Sequence, residues 1–191
     1  MSKVLYFIRH GTALHNVLFL EHGNIVYKKY RDTPLVPKGI NEAKSLDKIW
    51  KDIDKIELVI VSPLLRTLQT VDNIFCNKDV PIIALDSLME YPQGLDICNR
   101  RKSITEYKFC YPNVNFSYIK DDIEKKWRHN RYESIEELDI RIKEMLGFIN
   151  QRPETYIAIV SHSSYIGHFL FNKIGEGVNE LKHCHPYIHK L

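Results

Sequence analysis

The sequence predicts a three-layer α/β/α sandwich built on a mostly parallel central sheet. Three observations predict it. Short, wholly apolar runs rich in β-branched and aromatic residues recur along the chain. Amphipathic stretches of helical period separate them. Each run is long enough for a strand and is apolar on both faces, so both faces need covering. Strands that alternate with helices pair in parallel, with helices on either side.

Val4-Leu5-Tyr6-Phe7-Ile8 is the first such run and reads as a central strand. A helix is predicted over 38–50, after the start Pro37-Lys38-Gly39. Leu58-Val59-Ile60-Val61 is the second strand, and a helix over 64–75 follows with Leu64, Leu65, Leu68, Val71, Ile74 and Phe75 on one face. Pro81-Ile82-Ile83-Ala84 is a shorter third strand. Residues 134–149 give the clearest helix: Ser134 and Glu137 form a capping box, and Ile135, Leu138, Ile142, Met145 and Ile149 make the stripe. Tyr156-Ile157-Ala158-Ile159-Val160 is the fourth strand, and a helix over 163–173 follows it. The segment 183–191 reads as a final edge strand. Residues 91–131 break the rhythm, with Pro92, Pro112 and two basic clusters, Arg100-Arg101-Lys102 and Lys125 to Arg131. They read as a partly helical insertion over one end of the sheet.

The whole chain of 191 residues reads as a single domain, since no repeat, low-complexity tract or linker divides it. Apolar residues make up 44% and charged residues 27%, the balance of a globular protein. No apolar stretch approaches the roughly 18 residues that a membrane span needs. The N-terminal apolar run is too short for a signal peptide and lacks a cleavage site, so a cytoplasmic location is expected. Cys76, Cys98, Cys110 and Cys184 include no Cys-x-x-Cys pair and read as reduced thiols. The net charge of +3 is too small to demand nucleic acid, and it suits an anionic small molecule. Oligomeric state is not readable.

Polar residues follow the confident strands: Arg9-His10-Gly11 after the first, Ser62-Pro63-Leu64-Leu65-Arg66 after the second, Ser161-His162-Ser163 after the fourth. In open parallel sheets the ligand site lies at the carboxyl ends of the strands. The fold therefore predicts that His10, His162, Arg9 and Arg66 converge on one crevice. Helix N-termini add free N–H groups there. Guanidinium forks, helix ends and imidazoles together suit a tetrahedral phosphate. A neutral imidazole is a competent nucleophile, and neighbouring arginines keep it neutral. Gly11 lets the backbone approach the phosphate closely. The leaving oxygen needs a proton, and Glu90, beyond the third strand, reaches the same edge; phosphate charge would raise its pKa. Asp86 and Glu106 are rivals for that role. The pocket has no carboxylate cluster of the kind that holds Mg²⁺, so neither metal nor cofactor is expected.

In their order, Arg9-His10-Gly11 with Asn16, Asp32-Thr33-Pro34-Leu35-Val36-Pro37-Lys38-Gly39, Ser62 to Thr70, Glu90 and Val160-Ser161-His162-Ser163 resemble the histidine phosphatase superfamily, also called phosphoglycerate mutase-like. Within it, His15-Asn16-Val17 and Cys98 to Ile104 with Glu106-Tyr107 resemble a small eukaryotic-type branch of phosphoglycerate-mutase-like proteins. The resemblance implies His10 as the phosphorylated nucleophile and Glu90 as the proton donor. It implies Arg9, Arg66 and His162 as the rest of the phosphate pocket, with Asn16 and Ser163 adding hydrogen bonds to substrate. Asn41-Glu42 departs from the glutamine that many relatives carry in that helix.

Three readings follow. The first is a metal-independent phosphatase acting on a small phosphate ester. The second is a cofactor-dependent phosphoglycerate mutase, which returns the phosphoryl group to substrate. The third is a non-catalytic phosphate-recognition or interaction module, which the filled catalytic positions disfavour. Hydrolysis is expected over mutation because the short insertion and short C-terminal segment predict a poorly covered site. Arg100, Arg101 and Lys102 read either as a solvated turn or as a grip on a second anionic group. His183 and His185 share a strand face, but two ligands do not make a metal site. His15, His22, His129, His168 and His189 receive no role.

Overall fold

The computed structural model describes residues 2–125, 127–175 and 180–191. Lys126, in the second basic cluster, lies outside them. Six strands form one mixed sheet: β1 (Val4–Arg9), β2 (Leu58–Val61), β3 (Ile82–Ala84), β4 (Val114–Asn115), β5 (Tyr156–Ser161) and β6 (Pro186–Lys190). Their spatial order is β4-β3-β2-β5-β1-β6, with only β6 antiparallel.

Residue alternation explains the layers. Tyr6, Ile8, Val59, Val61, Ala158 and Val160 face one side, where they pack on Ala43, Leu46, Leu68, Val71 and Ile74. Those partners belong to α3 (Pro37–Ile49) and α4 (Leu65–Ile74). Leu5, Phe7, Leu58, Ile60, Ile157 and Ile159 face the other side, against Leu138, Ile142, Met145, Ile149, Tyr165 and Ile166. Those come from α6 (Ile135–Asn150) and α7 (Ser163–Phe171). The three-layer sandwich thus follows from the period-2 placement of apolar side chains on strands buried on both faces.

Two helices lie outside the sequence expectation, α1 (Leu14–His22) and α2 (Ile25–Lys29) between β1 and α3, while α5 (Ile104–Cys110) supplies the helix of the partly helical insertion. The insertion also contributes β4, which pairs parallel to β3 and so extends the sheet rather than only covering it. The last strand starts at Pro186, not 183. None of the described helices is long and apolar enough to cross a membrane.

The basic turn turns inward. Arg101 is fully buried. Its guanidinium donates to Asp86 (2.9 Å) and to the carbonyls of Lys102, Asp121 and Asp122. Arg100 lies over the Trp127 ring at 5.7 Å. The Lys102 backbone N–H donates to buried Asp32, which also accepts from Tyr107 and the Leu65 N–H. Neither reading from the sequence, solvated turn or substrate grip, fits Arg101: a guanidinium this buried is held by what it bonds, and it ties the insertion to itself and to Asp86, just after β3.

Arg101→Leu should therefore destabilise the fold by about 3 kcal/mol, the lower part of the range for a broken buried pair, because Asp86 keeps partial contact with water. Urea unfolding measures the loss. KM should not rise selectively for substrates with a second negative group; a selective rise would restore the grip reading.

Candidate active site

Register brings the polar residues together. Arg9 pairs with Ser161, so His10 and His162 come next side by side; Val61 pairs with Val160, so Ser62 comes level with Ser161, one residue before them at the same carboxyl edge. Backbone bonds continue the alignment: His10 N–H donates to the Ser161 carbonyl and Ser62 N–H to the Val160 carbonyl, both at 3.0 Å. His10 and His162 rings meet edge-on, with centroids 5.2 Å apart. Arg66 lies in the first turn of α4, after Ser62-Pro63-Leu64, and its Nε donates to His10 Nε2 at 3.3 Å.

The protonation state of His10 follows from its partners. Its Nδ1 lies 2.7 Å from the Gly11 carbonyl, which can only accept, so the ring proton sits on Nδ1. Nε2 is then the lone-pair nitrogen, and it is the atom Arg66 addresses. Burial, and after it the Arg66 charge, hold the His10 pKa well below the ordinary imidazole value. The backbone at this turn is tightly packed: a Cβ on Gly11 would lie 2.5 Å from the Gly39 carbonyl oxygen.

Its partner leaves the His162 tautomer open. Nε2 lies 2.8 Å from the Ser62 hydroxyl, which can donate or accept, and burial then Arg66 depress the ring's pKa. Nδ1 is buried and has no hydrogen-bond partner among the described residues. Arg9 Nε is in the same condition, while its terminal nitrogens bond Glu180 and the Leu181 carbonyl. Two buried nitrogens without partners among the described residues, on the residues flanking His10, are costly to leave unpaired, and the Arg9 N–H can only donate.

Glu90 sits against the start of α7. Its carboxylate accepts from the Tyr165 N–H (3.1 Å), more weakly from the Ser164 N–H (3.5 Å), and from the Tyr91 N–H. Burial raises its pKa, partly offset by those N–H bonds and by Arg66. The sequence reading needed phosphate to raise this pKa; burial does so first. Asp86, its rival, is engaged with Arg101, and Glu106 is exposed on α5.

Other candidates are placed differently from expectation. Asn16 Oδ1 accepts from the Ala13 N–H and so caps α1. Ser163 Oγ accepts from the Leu181 N–H. Glu90 occupies the helix start that was expected to face substrate. The crevice is also better covered than the short insertion suggested: His10 is 2% exposed and Arg66 1%. The cover comes from the insertion, where the Cys98 carbonyl and the Asn99 side chain bind Arg66 at 2.9 Å. It also comes from residues 180–184, through Glu180, Leu181 and His183.

Sequence reasoning missed Ser62 as a partner of His162, Asn99 as a partner of Arg66, and two histidines. His15 is buried with its ring 6.0 Å from His10 and bonds Thr33. His183 lies 5.6 Å from the His10 ring. The Ser62 position was readable, since it ends β2 as His162 follows β5. The others depend on long-range contacts with no local signature. His183 Nδ1 lies 2.6 Å from the His10 carbonyl oxygen, and among the described residues no three His, Cys, Asp or Glu side chains are grouped to hold a metal.

The chain is 34% identical to phosphoglycerate mutase-like protein 1 of Arabidopsis thaliana, an alignment covering 98% of this chain and 75% of that protein. Two solved structures share the fold. Ecdysone phosphate phosphatase from Bombix mori superposes with a TM-score of 0.63, covering 97% of this chain and 88% of that one at 17% identity. Phosphoglycerate mutase from Bacillus anthracis gives 0.64, with 100% and 88% covered at 17% identity. The model of the histidine phosphatase superfamily (branch 1), whose members are phosphatases or mutases, matches residues 5–188. Nearly the whole chain, including the strand ends that hold His10, Arg66 and His162, therefore belongs to the histidine phosphatase superfamily.

Proposed function

We propose that the chain is a phosphatase that hydrolyses small phosphate monoesters through a phosphohistidine on His10. The observation that carries this reading is the pair of buried nitrogens without a partner among the described residues, Arg9 Nε and His162 Nδ1 (a donor when Ser62 gives its proton to Nε2), beside a lone-pair nitrogen held on His10. A phosphoryl group supplies the acceptors that both donors lack and an electrophile for Nε2.

The chemistry runs in two balanced steps. His10 Nε2 attacks phosphorus as the ester P–O bond breaks, and Glu90 gives its proton to the departing oxygen. Water then attacks the phosphohistidine, Glu90 takes the proton, and the P–N bond breaks to release inorganic phosphate. Arg9, Arg66 and His162 stabilise charge on the equatorial oxygens in both steps. No step needs a metal.

One observation favours the mutase alternative: a covered site can keep phosphohistidine from water. Arg101 weighs against it. The cation that could grip the second anionic group of a bisphosphorylated substrate is already bonded to Asp86 and to carbonyls of the insertion. With 3-phosphoglycerate and a bisphosphoglycerate primer, phosphate release should outrun isomerisation; the reverse would make the chain a mutase.

His10→Ala should abolish turnover without unfolding the protein. Labelled substrate should leave base-stable, acid-labile phosphate on His10. Vanadate should inhibit and chelators should not; metal-restorable loss after chelation would refute the scheme.

The pH profile follows from the two shifted groups. Activity needs neutral His10, present above its depressed pKa, and protonated Glu90, present below its raised pKa. The sign therefore places the optimum on the acid side, with loss as pH rises through the Glu90 value. Glu90→Gln should remove that alkaline limb. It should also cut turnover far more for sugar phosphates than for nitrophenyl phosphate, whose phenolate leaves unaided. Equal losses on both would move the acid elsewhere.

A further inference from the structure

We propose that His183 is a positioning residue for the nucleophile, acting through the His10 main chain. The inference rests on the phosphohistidine reading. His183 Nδ1 lies 2.6 Å from the His10 carbonyl oxygen, which can only accept, so His183 donates. That carbonyl belongs to the peptide joining His10 to Gly11. The other side of the same peptide is also held: Gly11 N–H donates to Thr70 Oγ1 at 3.0 Å. One peptide plane is thus fixed from both sides, by His183 at its oxygen and by Thr70 at its nitrogen.

The next carbonyl along is the one that matters to the imidazole. His10 Nδ1–H donates to the Gly11 oxygen, and this bond fixes both the tautomer and the ring orientation. Gly11 has no side chain to hold its own backbone, and glycine is the residue least restrained in φ and ψ. The direction of its carbonyl is set by the preceding peptide and by the close contact with Gly39. Loosening the first peptide therefore lets Nε2 swing off the line of attack. Misplacing a reacting atom by about 1 Å costs about 100-fold in rate.

His183 sits on a segment suited to hold it there. Cys184 N–H donates to the Arg9 carbonyl (2.9 Å), Leu181 N–H to Ser163 Oγ (3.0 Å), and the Leu181 carbonyl accepts from Arg9. Residues 180–184 thus grip Arg9, His10 and Ser163 together. His183 contributes the bond of that set that reaches the nucleophile's own peptide.

The test compares His183→Leu with His183→Asn. Asparagine puts its Nδ2 the same number of bonds from the backbone as the histidine Nδ1, so it can still donate; leucine has the same branching and cannot. With nitrophenyl phosphate, H183L should lose about 100-fold in kcat with KM within about twofold, and the rate of label transfer to His10 should fall in step. H183N should recover most of that loss. Thermal unfolding of both variants checks that the fold survives; if H183L unfolds, the comparison of H183N with wild type decides, with near-wild-type kcat expected. The proposal fails if H183L keeps wild-type turnover, if its loss lies in KM alone, or if H183N is as poor as H183L. Failure of the phosphohistidine reading is separable: wild type would then carry no label on His10 at all.

Discussion

A fully buried guanidinium organises this site. Arg66 is 1% exposed and carries a charge that cannot be removed, so its surroundings had to be built to accept it. Its Nε addresses the nucleophile, one terminal nitrogen bonds the Cys98 carbonyl, and the other bonds Asn99. Its field is among the causes that depress the pKa values of His10, His15 and His162 and that temper the rise at Glu90 and Asp32. Burial first, and this cation after it, keep three imidazoles neutral, and the same cation ties the strand ends to the insertion.

The sheet makes that cation affordable. Parallel pairing of β1, β5 and β2 delivers His10 and His162 side by side to one edge, with Ser62 one residue short of them, and α4 and α7 begin at that edge. Glu90 then caps the start of α7, which places a carboxylate beside His162 without a free charge facing apolar residues. Asp32 does the corresponding work for the insertion, joining the α4 start to Lys102 and Tyr107. Each of the two acids is anchored by backbone N–H groups rather than by side chains alone.

Much of this was legible in the chain. The layers were, because apolar runs of strand length admit few arrangements. The edge carrying His10, Arg66 and His162 was, because polar residues following buried strands point to the carboxyl ends of a parallel sheet. The Ser134–Glu137 capping box forms as its spacing indicated. What was not legible depends on contacts between distant segments. Arg101 reads as a surface charge until Asp86 and the carbonyls of Asp121 and Asp122 are brought around it. His183 carries no pattern of its own, since its partner is a backbone oxygen 173 residues away. The short α1 and α2 lack the long apolar stripe that marks α6, and α1 is nearly all exposed or half-buried.

The close cover over the site and its need to admit an anion are compatible on donor count. Arginine offers five N–H groups. Arg66 uses one each on His10, Cys98 and Asn99, which leaves one on each terminal nitrogen. Those two suffice for a bidentate contact with phosphate oxygens, so the bonds to the cover need not be broken to bind an anion. Arg9 Nε and, with its ring proton on Nδ1, His162 add two more donors that are buried and unpaired among the described residues. The desolvation cost of those four donors is met in the folded protein before substrate arrives. An incoming phosphoryl group then gains hydrogen bonds in a water-poor site, where they are strongest, and the protein has little left to reorganise. A site prepared in this way favours charge developing on phosphorus-bound oxygens over an uncharged ligand of the same size, because only the former answers all four donors.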